Sequence, residues 1–364
     1  MVSVSLCMIV RNEEEVLERC LQSVCELVDE IVIVDTGSED ETVNIARNYT
    51  DQVYFFEWCD DFSKARNYAF SKATKEYIFF MDADDLLPES EQSKFKHLKE
   101  TMDPSVDIVS MYTTMAFDSQ GNPAFQYRRN RFVKRSRGYK WIGPVHEYLK
   151  VYGKTVYSDI SVSHVGSVNS EFAVKSTRNL DIYQKRLERG EIFTPRDLFY
   201  YANELREHQK YEESISQYKS FLVCEDGWIE DQIKAYEYMS FCYGQLGKQE
   251  ERLRSLLSCL ENTEPRPKTA CMIGDCLLEK GKLQAAAFWF KTATEFKRNI
   301  EDPSFYEPAY HTWYPHLQLV VCQWGLGNIE ESVRHNDLAA QSLPNDPKVL
   351  YNKEFFNTLK EKSE

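Results

Sequence analysis

The sequence predicts an α/β domain built on a Rossmann-like mixed sheet, followed by an all-α domain of paired helices. Short apolar runs alternate with amphipathic segments through the first 90 or so residues, and this alternation requires crossover connections between parallel strands. From Glu171 onwards the apolar residues recur with a helical period, and no convincing strand pattern remains. The 364 residues are enough for two domains of ordinary size.

In the first half, the apolar runs predict strands and the amphipathic segments between them predict helices. Ser38, with Glu41 three positions later, matches a capping box and predicts a helix start. The adjacent Asp60 and Asp61 predict the cap of the next helix. The predicted order is strand 2–10, helix 13–27, strand 30–34, a helix from Ser38, strand 52–56, a helix ending at Lys72 and strand 77–81.

After Pro88 the pattern changes to longer strands with alternating polarity. Strands are predicted over 107–116 and 124–134, joined by a turn at 119–123, and a last strand over 155–164. Between them lies a loop at 141–148 that contains Gly143-Pro144. We expect the α/β domain to end near residue 168.

The second domain, over 169–364, shows four polar breaks between amphipathic segments, at Gln209, Gly247, Gly281 and Gly327. Gly247 and Gly281 are 34 residues apart, which is the tetratricopeptide period. A helix over 348–362 is expected to cap the array. Such an array presents a concave surface that binds a peptide or protein. Alternatively, it only stabilises the molecule or forms a dimer contact. We also expect a homodimer.

Composition excludes several classes of protein. The net charge of -14 argues against a nucleic-acid-binding protein, because phosphate contacts need a positive surface. No apolar run approaches the length of a transmembrane segment, and the N-terminus enters a strand without a signal-peptide pattern. The ten cysteines include no CxxC pair and mostly occupy apolar positions, so we expect reduced, buried thiols in a cytoplasmic protein.

Three carboxylates, Asp82, Asp84 and Asp85, follow the apolar run 77–81 directly. Open α/β sheets bind ligands at the carboxyl ends of their strands. Carboxylate oxygens there suit Mg²⁺ or Mn²⁺, which can bridge a diphosphate. The alternative is a solvated loop.

Four segments in the first 90 residues extend this hypothesis. They are MIVRNE at 8–13, VDTGSED at 34–40, WCDDFSKARN at 58–67 and FMDAD at 80–84. Together, in this order and spacing, they resemble the family 2 glycosyltransferases with the GT-A fold. The chain is similar in particular to a bacterial subgroup with C-terminal tetratricopeptide-like helices, which includes the sublancin-type peptide S-glycosyltransferases.

The resemblance implies a nucleotide-sugar donor, with UDP as the expected nucleotide. The DxD motif of the family falls on Asp82 and Asp84, so that Asp84 binds the metal and Asp82 holds hydroxyls of the ribose or sugar. His164 matches the late histidine that completes the metal or diphosphate shell, and Asp35 matches the carboxylate that reads the uracil N–H. The remaining donor-binding residues that the family pattern implies are Val10, Asn12, Glu13, Arg66 and Asn67.

The loop residues His146 and Glu147 are the candidates for the catalytic base. Inversion at the anomeric carbon needs one base that takes the proton of the acceptor, and Glu147 is the first choice with His146 as the second. Alternatively, the pair only orients its loop. Three further cations, Arg128, Arg129 and Arg131, either contact the diphosphate or an acidic acceptor, or form a solvated strand face.

The sequence thus predicts a metal-dependent, inverting hexosyltransferase that acts on a peptide or protein side chain, through sulfur or oxygen, with the helical array as the acceptor-binding part. Two alternatives stay open. One is transfer to a cell-surface polysaccharide or a lipid-linked acceptor. The other is a non-catalytic scaffold, against which the presence of all the charged site residues argues.

Overall fold

The computed structural model describes residues 1–118, 121–166, 176–261, 263–297 and 306–361, which form two compact units. The first unit contains residues 1–191 and Tyr306, and the second contains the other described residues from Ile192 onwards. The domain boundary predicted at 168/169 lies outside the described residues. Helix Arg178–Glu188 groups with the first unit rather than with the helical array.

An eight-stranded mixed sheet forms the centre of the first unit. Its strands are β1 Val4–Val10, β2 Glu30–Asp35, β3 Val53–Phe55, β4 Tyr77–Phe80, β5 Asp85–Leu86, β6 Ile108–Phe117, β7 Pro123–Lys134 and β10 Thr155–His164. They lie in the order β3-β2-β1-β4-β7-β6-β10-β5. Strands β1 to β4 are parallel, β7 runs antiparallel to both β4 and β6, and β10 is parallel to β6. A separate hairpin pairs β8 Lys140–Ile142 with β9 Tyr148–Lys150.

Helices cover both faces of this sheet, which explains why its central strands are apolar throughout. Phe79 points into the core that contains Phe95, whereas the next residue, Phe80, points into the opposite core with Trp141. The helices of this unit are α1 Leu17–Val24, α2 Thr42–Arg47, α3 Phe62–Lys72, α4 Glu89–Thr101 and α5 Arg178–Glu188.

Two helix starts differ from the prediction. Helix α1 begins at Leu17 rather than residue 13, because residues 13–16 form a turn in which the Glu13 carbonyl accepts the Val16 N–H at 3.1 Å. Helix α2 begins at Thr42 without a side-chain cap, so the predicted capping box is wrong. The Ser38 hydroxyl instead accepts the Asn12 N–H at 2.9 Å.

The cap of α3 is the second aspartate of the predicted pair. Asp61 accepts the Lys64 N–H at 3.1 Å, as an N-cap residue does. Asp60 does not cap the helix, because its carboxylate is bound by the Trp58 ring N–H and by Lys185. The predicted turn at 119–123 lies partly outside the described residues, since 119 and 120 are not among them.

The second unit is an array of antiparallel helix pairs with a final helix. Its helices are α6 Pro195–Glu207, α7 Tyr211–Leu222, α8 Ile229–Gln245, α9 Gln249–Ser258, α10 Pro267–Glu279, α11 Leu283–Glu295, α12 Pro308–His311, α13 Trp313–Gly325, α14 Ile329–Ser342 and α15 Pro347–Glu361. The residues at all four predicted breaks have a positive φ, a conformation that glycine tolerates best. This conformation ends the first helix of each pair.

The helix pairs repeat the same packing contact. The Ser214 hydroxyl donates to the Ala202 carbonyl at 2.8 Å, and the Ser332 hydroxyl donates to the Val320 carbonyl at the same distance. The tetratricopeptide-like fold that the sequence predicts for this region is therefore confirmed. In the part of the chain that the structure describes, no helix has the length and apolarity to span a membrane, and all ten cysteines are free thiols.

Candidate active site

The predicted site residues come from the carboxyl edge of the parallel strands. Val10 ends β1, Asp35 ends β2, and Asp82 follows β4, which lies on the other side of β1. His164 ends β10, which runs in the same direction. Since all these ends meet at one edge of the sheet, residues far apart in the sequence reach one another.

A cluster of three metal-binding side chains lies at this edge. His164 Nδ1 is 3.4 Å from Asp84 Oδ1 and 3.6 Å from Asp85 Oδ1, and the three atoms lie within 4.8 Å of one another. The pairing of β10 with the two-residue strand β5 sets His164 opposite Asp85. Hydrogen bonding to Asp84 and Asp85 raises the pKa of His164 to about 10. Two carboxylates and an imidazole suit a divalent cation such as Mn²⁺ or Mg²⁺.

Below this cluster, Asp85 forms an ion pair with Arg131, and both side chains are fully buried. Arg131 donates to Asp85 Oδ2 at 2.7 Å, and the Asp82 backbone N–H donates to the same oxygen at 3.0 Å. Burial alone raises the pKa of Asp85, but the charge of Arg131 and the hydrogen bond to His164 lower it below its ordinary value. The alternative that Arg131 belongs to a solvated strand face is wrong, because its side chain is 0% exposed.

Asp82 is held by two arginines. Arg66 binds its Oδ1 at 2.6 Å and Arg129 binds its Oδ2 at 3.0 Å. Although burial alone raises the pKa of Asp82, the charges of Arg66, Arg129 and Arg131 hold it well below its ordinary value. The third arginine of the predicted group, Arg128, stacks 3.9 Å from the Tyr112 ring and donates to two backbone carbonyls.

Arg66 also binds the predicted catalytic base. Its Nε donates to Glu147 Oε1 at 2.5 Å, so that one guanidinium joins Asp82 to Glu147. The Glu147 side chain is 9% exposed, and its Oε2 accepts no hydrogen bond from the described residues. His146 precedes it with a φ of 51°, a left-handed conformation that turns the loop.

Helix α3 fixes this loop at further points. Both polar atoms of the Asn67 side chain pair with the Trp141 backbone, at 2.9 and 3.0 Å, and the Phe62 N–H donates to the Pro144 carbonyl at 2.8 Å. The Arg66 guanidinium lies 4.9 Å from the centre of the Trp141 ring. Asn67, predicted to bind the donor, therefore contacts the protein backbone beside the site.

The residues predicted to surround the nucleotide base lie between the ends of β1 and β2. The Asp35 carboxylate accepts the N–H groups of Gly37 and Ser38, both at 3.1 Å. The Asn12 side-chain oxygen accepts the Glu39 N–H at 2.8 Å, and the Val10 carbonyl accepts the Thr36 N–H at 3.0 Å. These bonds shape a rigid turn around a buried carboxylate.

Glu13 connects this region to the metal-binding cluster. Burial, together with the negative charge of Asp84, raises the pKa of Glu13 to about 7. Its backbone N–H donates to the Thr42 hydroxyl at 2.7 Å, which holds it at the start of the turn before α1. Glu13 therefore contributes to a strongly acidic edge of the sheet, where a cation is favoured.

Sequence reasoning gave little weight to Asp85 and gave no role to Trp141. Two signals point to Asp85. It directly follows the DxD motif, and Arg131 is a charged residue just before the apolar pair Phe132-Val133 of a central strand. A charged residue that is buried in a central strand is expected to have a partner of opposite charge. Trp141 offered no comparable signal.

Comparison with protein families and curated proteins gives several similarities. Residues 5–160 match the family described as Glycosyl transferase family 2. The glycosyltransferase SunS of Bacillus subtilis, described as SPbeta prophage-derived, is 32% identical over 231 residues, which cover 58% of this chain and 53% of SunS. A TPR repeat-containing protein of Synechococcus elongatus is 36% identical over 150 residues, covering 41% of this chain and 36% of that protein.

The match to an uncharacterized glycosyltransferase of Rickettsia typhi is shorter, with 29% identity over 98 residues, or 27% of this chain and 33% of that protein. The chain thus matches about half, or less, of the length of these curated relatives. Among solved structures, the TPR protein YrrB has a TM-score of 0.37 at 19% identity, covering 49% of this chain and 82% of YrrB. A tetratricopeptide repeat protein of Parabacteroides merdae has a TM-score of 0.39 at 16% identity, covering 51% of this chain and 67% of that protein.

Proposed function

We propose that this chain is a metal-dependent, inverting glycosyltransferase that transfers a sugar from a UDP-sugar to a peptide or protein side chain, because residues 5–160 match glycosyl transferase family 2. The proposal depends on one observation: Asp84 and His164 lie in contact at the carboxyl edge of the sheet. At the same edge, Arg66 binds both Asp82 and Glu147. This edge is where open α/β sheets bind their ligands.

On the donor side, the buried Asp35 and the turn around it would receive the base. Asp84 and His164 would hold Mg²⁺ or Mn²⁺. A divalent cation supplies Lewis-acid neutralisation of the diphosphate as it leaves the sugar. Near it, the acidic side chain of Glu13 favours a cation over an anion.

On the acceptor side, Glu147 is the proposed base. Arg66 holds Oε1, which leaves Oε2 to take the proton of the acceptor while the acceptor attacks the anomeric carbon opposite the leaving group. Only one bond forms and one breaks at that carbon, so its configuration inverts. His146, on the same loop, is the alternative base.

The acceptor class rests on the second unit. Arrays of paired helices bind peptides and proteins, and this unit is separate from the sheet that carries the donor site. We therefore propose a peptide or protein acceptor. The cytoplasmic location and the homodimer that the sequence predicts stay predictions. A cell-surface polysaccharide or lipid-linked acceptor is the second candidate.

A panel of nucleotide sugars, incubated with Mn²⁺ or with EDTA, tests the donor assignment. We expect slow hydrolysis of one UDP-sugar that requires the metal and is lost in Asp84→Ala. The matched control is Asp159→Ala, which removes a carboxylate that is 79% exposed in the same unit. Turnover that persists in EDTA or in Asp84→Ala would contradict the proposal, as would the absence of turnover with every donor.

A further inference from the structure

We propose that Asp85, and not Asp82, is the second carboxylate of the metal site, and that Asp82 serves to anchor Arg66 and Arg129. This inference rests on the proposed function, because it assigns ligands to the cation that the donor requires. It differs from the expectation that the two aspartates of the DxD motif share the donor and its metal. The chain instead would use the aspartate one position further along.

The first argument is that the carboxylate of Asp82 is already occupied. Each oxygen is bound by a different arginine, Oδ1 by Arg66 and Oδ2 by Arg129. Such charge-assisted hydrogen bonds are among the strongest that proteins form. A cation at either oxygen would lie beside two guanidinium charges and would be repelled by both.

The second argument is that Asp85 has one oxygen firmly bound and one oxygen with only a long contact. Its Oδ2 accepts from Arg131 at 2.7 Å and from the Asp82 N–H at 3.0 Å. Among the described residues, the contact of its Oδ1 is the long one to His164 Nδ1 at 3.6 Å, although the side chain is 1% exposed. A buried carboxylate oxygen with so long a contact is poorly compensated, and a cation at this position would supply the missing interaction.

The third argument is geometric. Asp85 Oδ1 is 3.6 Å from His164 Nδ1, which in turn is 3.4 Å from Asp84 Oδ1. An octahedral ion with ligands at about 2.1 Å places neighbouring ligand atoms roughly 3 Å apart. The imidazole nitrogen is therefore only a few tenths of an ångström farther from each carboxylate oxygen than neighbouring ligands of one ion are, and the three atoms all lie within 4.8 Å of one another.

Arg131 explains how the site tolerates so many carboxylates. Its buried charge compensates Asp85 through Oδ2, so that Oδ1 can face the ion while Oδ2 remains paired. The two arginines on Asp82 compensate that carboxylate in the same way. Asp82 and Asp85 thus have separate cationic partners, and among the described residues Asp84 and Asp85 are the carboxylates that pair with the imidazole.

The test measures Mn²⁺ binding to the full chain without donor, by the electron paramagnetic resonance signal of free Mn²⁺. Asp85→Asn and Asp82→Asn each remove one negative charge beside the ion, so the difference between them reports direct ligation. We expect Asp85→Asn, like Asp84→Asn, to weaken Mn²⁺ binding at least about tenfold more than Asp82→Asn does.

Asp85→Asn leaves Arg131 buried without its partner, which can prevent folding. The double variant Asp85→Asn with Arg131→Met removes that charge as well and is compared with Arg131→Met alone, which keeps the carboxylate. We expect Mn²⁺ binding in Arg131→Met and its loss in the double variant. Circular dichroism and thermal unfolding confirm that each variant is folded.

Two outcomes would overturn the inference, and they are distinguishable from each other. If the wild-type chain binds no Mn²⁺, the metal dependence in the proposed function fails together with this assignment. If the wild-type chain binds Mn²⁺ but Asp82→Asn weakens binding as much as Asp85→Asn, only the assignment of Asp85 fails. The Asp82→Asn measurement decides this even if the Asp85 variants do not fold.

Discussion

Arg66 connects the two halves of the proposed reaction through a single side chain. Its Nε binds Glu147 and its terminal NH2 binds Asp82, while its guanidinium lies over Trp141. Two carboxylates 65 residues apart in the sequence are thereby held in one fixed arrangement. Arginine is suited to this because its planar group presents several N–H donors in a rigid fork.

Arg66→Lys tests this arrangement, because lysine keeps the charge but offers a single ammonium in place of the fork. We expect kcat for sugar transfer to fall about ten- to a hundredfold, since Glu147 loses its fixed position relative to the acceptor. The affinity for Mn²⁺ should change little, because neither contact forms the metal cluster. Steady-state kinetics with varied donor and acceptor separates these effects.

Lys64→Gln is the matched control for that experiment. Lys64 lies on the same helix, but its side chain is 63% exposed and, among the described residues, pairs only with Asp61. If Arg66→Lys transferred sugar as fast as Lys64→Gln does, Arg66 would have no positioning role. A loss of folding in Arg66→Lys would show in the thermal unfolding midpoint before any kinetic comparison.

At the scale of elements, the strands of the first unit could be predicted because they are buried on both faces. Residues 31–34 and 77–81 are continuous apolar runs, and the ends of β2 and β4 lie within one residue of the strands predicted over 30–34 and 77–81. Strand β10 was predicted with the same ends that the structure gives. A period of two, or an unbroken apolar run between polar breaks, needs no knowledge of the partner strands.

Elements that depend on distant partners could not be predicted. Strand β5 has only two residues and exists because Asp85 and Leu86 pair with β10 almost eighty positions away. The sequence placed Asp84 and His164 in one site only through the family resemblance, and it gave Asp85 no position relative to His164. Likewise, Ser38 met the local rule for a capping box, but its hydroxyl accepts from Asn12, a contact between two loops.

The contact between α10 and α11 gives a prediction at this scale. At Gly274 an added Cβ would lie 2.7 Å from the Phe290 ring, which is fully buried and cannot move aside. We expect Gly274→Ala to destabilise the helical array by about 1–3 kcal/mol through overpacking. Chemical denaturation followed by circular dichroism measures the change in the free energy of unfolding.

Gly244→Ala, in the neighbouring helix α8, is the matched control. There the added Cβ would lie 3.4 Å from the flexible Arg252 side chain, which can move. The gain in helix propensity should make this variant neutral or more stable by up to about 1 kcal/mol. If both alanine variants changed the free energy of unfolding equally, the close contact between α10 and the Phe290 ring would not explain why residue 274 is a glycine.

At the scale of the whole molecule, the net charge of -14 predicts which acceptors associate fastest. A strongly negative protein attracts positively charged ligands and repels negative ones over distances comparable with the Debye length. If the acceptor is a peptide, as proposed, sugar transfer at low salt should be faster to a peptide with lysines beside the modified residue than to one with glutamates there. The advantage should shrink roughly tenfold between about 20 and 300 mM salt, because screening removes it.

Three acceptor peptides of equal length, with basic, acidic and uncharged flanks, make this measurable as kcat/KM across a salt series. The uncharged peptide is the control, because it reports how salt affects the donor and the metal site alone. As salt rises, the kcat/KM of the basic peptide should fall toward that of the uncharged peptide, and the kcat/KM of the acidic peptide should rise toward it. Equal rates for all three at low salt would show that association is governed by local contacts at the acceptor site, and the overall charge of the molecule would then have no part in choosing the acceptor.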